Sequence, residues 1–224
     1  MKLNKMIDHT KLGASVSAEQ IQKLIDEAKV YDFKSVCVNP IWVNHAKKAL
    51  SATDVLVCTV IGFPHGTHQP EVKACEAVQA VKDGADELDM VINVWALKSK
   101  QYDLVKKDIE GVVKAGAGRT VKVILETCYL TAEEIVEGSK IAVSAGAHFV
   151  KTSTGFGTYG ARIEDVKLMK ETVGNRAEVK ASGGVRTYED ALKMIEVGAT
   201  RIGTSNGVDI VNQRRDQHDS NTSY

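Results

Sequence analysis

Along the chain, short runs of β-branched residues alternate with longer stretches in which apolar positions recur every three or four residues. Ser17 opens the first helical stretch. Gln20, three residues on, completes a capping-box pattern, and Ile21, Leu24, Ile25 and Ala28 then follow the i, i+3, i+4, i+7 spacing of one buried face. Further helical patterns hold Ala74, Ala77, Val78 and Val81 on one face, or run through residues 102–115, 132–145, 162–173 and 187–197. Between them stand apolar runs of strand length: 34–39 (closed by Pro40), 54–63, 87–93, 120–127, 149–155, 178–184 and 201–205. Residues 5–8 add a short eighth. Strands that are apolar on both faces predict a parallel sheet covered by helices. Eight units in 224 residues leaves 28 residues for each, about what one βα unit needs.

An internal repeat sharpens this. Gly84-Ala85, Gly146-Ala147 and Gly198-Ala199 each open the pattern Gly-Ala-x-x-apolar-x, and the copies lie 62 and 52 residues apart, about two units each. Each glycine is expected to cap a helix and lead into a strand, and these are the fourth, sixth and eighth strands. In a (β/α)8 barrel, alternate strands fill the same interior layer. Asp89, Lys151 and Gly203 occupy the same step of the repeat and are therefore expected at a similar height inside one barrel. The fold expected is α/β, a single-domain TIM barrel, with a doubly wound open sheet as its rival. No Gly/Pro/Ser-rich linker divides the chain, so one domain over residues 1–215 is expected, followed by a polar tail at 216–224.

Composition excludes more than it identifies. Apolar residues are 43% of the chain and charged residues 26%, the balance of a globular protein with a sizeable core. Lys plus Arg and Asp plus Glu are 29 each, a net charge of zero, which disfavours a nucleic-acid partner. No apolar run approaches the ~18 residues of a membrane span, and the N-terminus has no signal-peptide core. No membrane partner and a cytoplasmic location are expected. Cys37, Cys58, Cys75 and Cys128 form no CxxC pair and read as reduced thiols. His65 and His68 follow Gly62-Phe63-Pro64 without a third ligand nearby, so no metal is expected.

The candidate chemistry lies in two strands. Lys151 stands in Phe149-Val150-Lys151-Thr152 and Lys180 in Glu178-Val179-Lys180-Ala181, although lysine is rarely buried unless paired or functional. The plain alternative is a lysine that points outward or pairs with a neighbouring carboxylate, and Lys122 in Val121-Lys122-Val123 shows that strand lysines recur here. The pair changes the picture. Two ammonium groups ~4 Å apart at an effective dielectric of ~20 repel by about 4 kcal/mol, worth up to about three pKa units. One of the pair would then be partly neutral near pH ~7 and able to attack a carbonyl as an amine. The resulting Schiff base is an electron sink for making or breaking a C–C bond. Asp89 either shuttles protons for it or merely pairs with a lysine. Glycine-rich turns, Ser182-Gly183-Gly184-Val185-Arg186 and Gly203-Thr204-Ser205-Asn206-Gly207, follow the last two strands. Such turns in a barrel bind phosphate through backbone N–H groups, and Arg186 would add a charge-assisted contact.

These segments resemble the deoxyribose-phosphate aldolases. The resemblance is carried by Val150-Lys151-Thr152-Ser153-Thr154-Gly155-Phe156, by Asp89 within Glu87-Leu88-Asp89-Met90-Val91-Ile92-Asn93, and by Val179-Lys180-Ala181-Ser182-Gly183-Gly184-Val185-Arg186-Thr187. Asp8-His9-Thr10, Ser35-Val36-Cys37-Val38-Asn39-Pro40 and Gly62-Phe63-Pro64 extend it from about residue 6 to about 211. The resemblance implies a TIM-barrel class I aldolase with no metal and no organic cofactor. It implies reversible cleavage of 2-deoxy-D-ribose 5-phosphate to D-glyceraldehyde 3-phosphate and acetaldehyde. Lys151 would be the Schiff-base lysine, Lys180 the neighbouring cation that lowers its pKa, and Asp89 the proton relay. Thr10 would lie near the substrate hydroxyl, and the phosphate site would fall on Gly155, Gly183, Gly184, Arg186, Gly203 and Ser205. Members are often homodimers or larger homo-oligomers, and some use a C-terminal tyrosine, here Tyr224. Cys37, if it faces the cavity, would react with an unsaturated aldehyde. Asn206, Asp209, Gly157, Tyr159 and Trp95 depart from the usual pattern. The departures around the phosphate site suggest a loosened pocket that accepts unphosphorylated or non-natural aldehydes by the same chemistry. A third alternative is a non-catalytic barrel that binds a phosphorylated ligand.

Overall fold

In a computed structural model of the chain, which describes residues 2–213, the apolar runs pair in chain order and the sheet closes on itself. The strands are β1 Ile7–Lys11, β2 Ser35–Val38, β3 Leu56–Ile61, β4 Glu87–Val91, β5 Thr120–Ile124, β6 Phe149–Lys151, β7 Glu178–Ser182 and β8 Arg201–Thr204. All neighbours are parallel, and β8 pairs with β1 to complete the ring. The helices are α1 Ala18–Val30, α2 Val43–Ala49, α3 Pro70–Asp83, α4 Val94–Lys98, α5 Tyr102–Ala115, α6 Ala132–Ser144, α7 Ile163–Val173, α8 Tyr188–Glu196 and α9 Gly207–Val211. This is the single-domain (β/α)8 barrel expected from the repeat, and not the open sheet. No helix among the described residues is long and apolar enough to cross a membrane. The polar tail at 216–224, with Tyr224, lies outside the described residues.

The three Gly-Ala repeats turn out to be one hydrogen-bonded device used three times. Gly84, Gly146 and Gly198 have φ of 105°, 88° and 111°, a left-handed region that suits glycine. The alanine that follows each donates to the carbonyl five residues back: Ala85 to Ala80, Ala147 to Ala142 and Ala199 to Met194, at 2.9–3.0 Å. That is the Schellman closure of a helix end. The next residue then joins the preceding strand, as Asp86 to Val57, His148 to Val121 and Thr200 to Val179. Helix starts are equally explicit. Ser17 with Gln20, Thr131 with Glu134 and Thr187 with Asp190 all form reciprocal capping boxes.

β1 begins later than residues 5–8 suggest, because residues 3–6 form a 3-10 turn. β6 stops at Lys151 instead of 155. The main apolar core fills the layer between barrel and helices, with Ile21, Ile25, Val57, Leu88, Ile109, Val121, Val150, Val179 and Ile202 among its fully buried members. The barrel interior is different. There Asp8, Glu87, Asp89, Lys122, Lys151, Lys180 and Arg201 are buried beside Cys37 and Cys58, and that interior holds the candidate site.

Candidate active site

Register sets which side chains meet. Lys122 on β5 stands beside Asp89 on β4, and Lys180 on β7 stands beside Lys151 on β6. Side chains at the same register of parallel neighbours point to the same face, so all four project into the barrel. Asp89 is the hub. Its Oδ1 accepts from Lys122 Nζ at 2.8 Å, and its Oδ2 accepts from Lys151 Nζ and Lys180 Nζ, each at 2.8 Å. Lys180 also donates a short hydrogen bond to Asp8. Lys122 reaches Glu87 at 2.6 Å and Asp8 at 3.7 Å. Arg201 bridges Asp8 and Glu87, 2.8 Å from each. Ser35 Oγ donates to Asp8 at 2.7 Å.

Lys151, Lys180 and Asp89 are thus brought together as the sequence predicted. The two lysines share a carboxylate oxygen, so repulsion between them does not act alone. The sequence reading of Lys122 needs correction: it is not an incidental strand lysine but a fully buried member of the same cluster. Asp8 and Glu87 stood in matched segments without a role of their own, and Arg201 was given none. A charged residue at a strand end is ordinary in sequence, and only barrel closure shows that these three share one interior.

Four cations (Lys122, Lys151, Lys180, Arg201) face three carboxylates (Asp8, Glu87, Asp89). Burial pushes the Asp89 carboxyl up, but Lys122, Lys151 and Lys180 outweigh it and hold the group well below the usual carboxylate range. Asp8 is lowered in the same way, burial being overcome by Lys180, Arg201 and Lys122. Burial works to lower Lys180, yet Asp8 and Asp89 hold it above the ordinary lysine range. Lys122 is raised for the same reason, by Asp89, Cys58, Glu87 and Asp8 against burial. Asp8 and Asp89 therefore hold Lys180 in its charged form.

Two thiols line the same interior. Cys37 and Cys58 are register partners on β2 and β3 and are both fully buried. Cys58 Sγ lies 3.2 Å from Asp89 Oδ1 and 3.3 Å from Lys122 Nζ. Its thiol is pushed well up, chiefly by burial, while the hydrogen bond with Cys58 lowers that of Cys37. Cys37, Cys58 and Asp89 bring potential metal-ligand atoms within 4.8 Å of one another, as do Asp8, Cys58 and Glu87. The carboxylates in both groups already face the cluster's cations, and an excess of positive charge repels a metal ion. His65 and His68 belong to neither group.

The residues expected around a phosphate are placed as follows. A Cβ on Gly183 would stand 2.8 Å from Gly160 Cα and 3.7 Å from Gly155 Cα, so the loops after β6 and β7 pack backbone to backbone. Gly155, Gly183 and Gly184 have φ of 91°, 81° and 77°. Ala161 N–H donates to Gly183 O at 2.9 Å, and Thr204 Oγ1 ties β8 to Val185 O at 2.7 Å. A Cβ on Gly203 would meet Lys180 Cε at 2.9 Å. The glycine there clears the path of the Lys180 stem, the third step of the repeat. Arg186 and Gly184 are exposed and Ser205 is half-buried, its hydroxyl 3.2 Å from Asn206 Oδ1. Thr10 is buried and donates to Asp8 O at 2.8 Å. Of the departures, Tyr159 donates to Thr127 O at 3.1 Å and lies under the Arg162 guanidinium, while Trp95 is exposed on α4. Asp209 falls in the first turn of α9.

Burying charges is costly, and a closed barrel of eight parallel strands with seven charged side chains buried inside it is, as a class, a TIM barrel built around a polar centre. Comparison with known proteins narrows the class. The family model for the DeoC/LacD family aldolases matches residues 2–213, and the chain belongs to that family: it is an aldolase, an aldehyde-lyase. It is 58% identical over 224 residues to the deoxyribose-phosphate aldolase of Acholeplasma laidlawii, covering all of both chains. It is 62% identical over 211 residues to that of Streptococcus sanguinis, covering 94% of this chain and 96% of the relative. Among solved structures, the tetrameric deoxyribose phosphate aldolase of Aeropyrum pernix superposes with a TM-score of 0.88 at 33% identity, covering 94% of this chain and 89% of that one.

Proposed function

We propose that the enzyme reversibly cleaves 2-deoxy-D-ribose 5-phosphate to D-glyceraldehyde 3-phosphate and acetaldehyde through a Schiff base on Lys151. The observation that carries this is an inequality among the three buried lysines. Among the described residues, Lys122 meets three carboxylates and Lys180 two, while Lys151 meets Asp89 alone. Lys151 also ends its strand, facing the barrel mouth. Loss of its proton leaves three cations against three carboxylates, a neutral cluster.

The neutral amine adds to the open-chain aldehyde. Asp89 Oδ2, 2.8 Å from Nζ, lies where protons pass to and from the carbinolamine, and water leaves as the iminium forms. Removal of the C3 hydroxyl proton breaks the C2–C3 bond. The electron pair flows into the iminium and glyceraldehyde 3-phosphate departs. Protonation of the enamine and hydrolysis then release acetaldehyde and regenerate Lys151. Lys180, fixed by Asp8 and Asp89, keeps the neighbourhood cationic. Backbone N–H groups of Gly155, Gly183, Gly184, Gly203 and Ser205, with Arg186, are the proposed phosphate contacts, and Thr10 lies toward the substrate hydroxyl. Asn206, Asp209 and Tyr159 leave those backbone donors in the chain. The names of the relatives also favour the phosphorylated substrate over unphosphorylated aldehydes. The Aeropyrum pernix relative is tetrameric, and a homo-oligomer is proposed here too, to be read by light scattering.

Borohydride added during turnover with acetaldehyde should leave a two-carbon adduct on Lys151, seen by mass spectrometry, and Lys151→Ala should abolish it. Trapping at full yield in that variant would place the nucleophile elsewhere. No trapping in the unmodified enzyme would remove the Schiff base altogether.

A further inference from the structure

The chain leaves β5 through a residue that sequence patterning gave no reason to notice. Leu125 N–H donates to Lys151 O at 2.9 Å and Thr127 N–H donates to Thr152 O at 3.0 Å. The β5 side therefore advances two residues while the β6 side advances one, a bulge-like step of the kind that re-aims a side chain beside active sites. The extra residue is Glu126. It adopts a left-handed conformation, φ 56° and ψ 64°, which is unfavourable for a non-glycine residue and clusters at functional sites. The step turns its side chain inward, and Glu126 is 3% exposed.

Its carboxylate engages one short segment through both oxygens, with Cys128 as a further side-chain partner. Oε1 accepts from Thr154 N–H at 3.1 Å, and Oε2 accepts a short hydrogen bond from the Thr154 hydroxyl. That hydroxyl in turn accepts from Phe156 N–H at 3.0 Å. One carboxylate thus fixes residues 154 and 156, and with them Gly155 between, whose φ is 91°. The space is cleared on the far side as well. A Cβ on Gly157 would stand 3.3 Å from Glu126 Oε1 and 2.4 Å from Cys128 Sγ. The hydrogen bonds of Glu126 go to the loop and to Cys128 and not to Lys151, whose ammonium acts on the carboxylate only through its charge.

We propose that Glu126 is a specificity-determining positioning residue, whose carboxylate holds the 154–156 turn so that Gly155 is presented to the phosphate of the substrate. The inference rests on the assignment of Gly155 to the phosphate site under the proposed function. It separates two tasks that lie three residues apart on one strand and its loop. Lys151 carries the bond-breaking chemistry, and the turn that Glu126 holds selects substrates that carry a phosphate.

The test is steady-state cleavage of deoxyribose 5-phosphate and of unphosphorylated deoxyribose by Glu126→Gln, Thr154→Val and Thr154→Ser. Loss of one charge-assisted contact to the turn should raise KM for the phosphorylated sugar ~10-fold in Glu126→Gln and Thr154→Val. Their kcat and their KM for plain deoxyribose should stay within about twofold. Thr154→Ser, which keeps the hydroxyl, should match the parent enzyme. Equal loss on both sugars, a fall in kcat with KM unchanged, or no change would overturn the inference. So would failure of the near-isosteric Thr154→Val to fold, which would make the contact one of stability. Borohydride trapping on each variant separates this from the underlying reading. Trapping that persists while phosphate selectivity falls supports Glu126 as stated, whereas a parent enzyme that neither traps nor cleaves sinks the aldolase mechanism itself.

Discussion

Lys122, Lys151 and Lys180 share one carboxylate and differ in how many others they meet. Lys122 and Lys180 are completely buried, while Lys151 retains 3% exposure at the end of β6. Asp8 and Asp89 face both of the first two, with Glu87 added for Lys122, whereas among the described residues the third meets Asp89 alone. Lys180→Leu tests this division. It removes a positive neighbour of Lys151 and leaves Asp8 and Asp89 less well balanced. Both effects favour the charged form of Lys151, so the alkaline rise of kcat/KM should move to higher pH and activity at pH 7 should fall at least tenfold. A pH profile that keeps its position would remove Lys180 from the chemistry. Lys151, Lys180 and Asp89 were legible in sequence because an ionisable residue inside an apolar strand is unusual. Lys122 carries the same signal and looked like a counterexample, because its partners Glu87 and Asp8 come from distant parts of the chain. Spacing along the sequence does not report a contact that only barrel closure creates.

At the scale of elements, legibility follows length and repetition. α1 was visible from its periodic face and capping box, and α3, α5, α6, α7 and α8 from their periodic runs. α2, with only Val43 and Ala46 buried, and the five-residue α4 and α9 are too short to show a period. β6 was overextended because Thr152, Ser153 and Thr154 are hydroxylic residues compatible with a strand, while the bulge at Glu126 disrupts their pairing with β5. One inter-element contact had no sequence signal at all. Lys73 of α3 donates to Asp108 of α5 at 2.5 Å and to Val91 O at 2.9 Å, and both charged side chains are buried. Burial pushes Lys73 down and Asp108 up, in each case against the partner's attraction. Asp108 Oδ1 has no hydrogen-bond partner among the described residues. A pair like this gives orientation more than stability. Lys73→Met should strand the carboxylate and cost about 3–5 kcal/mol. Adding Asp108→Leu should recover most of the loss, a coupling that urea unfolding of the two variants and the double variant measures. Additive losses would mean that the two side chains act independently.

For the whole molecule, the zero net charge of the sequence conceals a centre in which four cations face three carboxylates, and that imbalance shapes stability against pH. Length was informative here: 28 residues per unit predicted the barrel and left little chain for anything else. The charge sum was not, since the buried positive excess is cancelled by a negative excess elsewhere in the chain. Asp8 and Asp89 are held below their unfolded value of about 3.9 by the surrounding cations, against burial. The stability they contribute is complete above that value and is lost as pH falls through their folded values. Lys122 and Lys180 are held above the ordinary lysine value of about 10.4, again against burial. Their contribution is complete below that value and is lost as pH rises through their folded values. Asp108 and Glu126, raised chiefly by burial, act in the opposite sense. Each costs stability as pH climbs from its unfolded value to its folded one, which blunts the acid side. The urea midpoint should therefore be nearly flat from about pH 6 to pH 10, fall steeply above that as the buried lysines deprotonate, and fall more gently below about pH 4. In Asp8→Asn the midpoint at neutral pH should be lower and the alkaline fall smaller and complete at lower pH, because Lys180 loses a counter-charge and its folded value drops toward the unfolded one. Midpoints that decline steadily across pH 6–9 in the parent enzyme, or an alkaline limb unmoved in Asp8→Asn, would show that the central cluster does not govern how this barrel responds to pH.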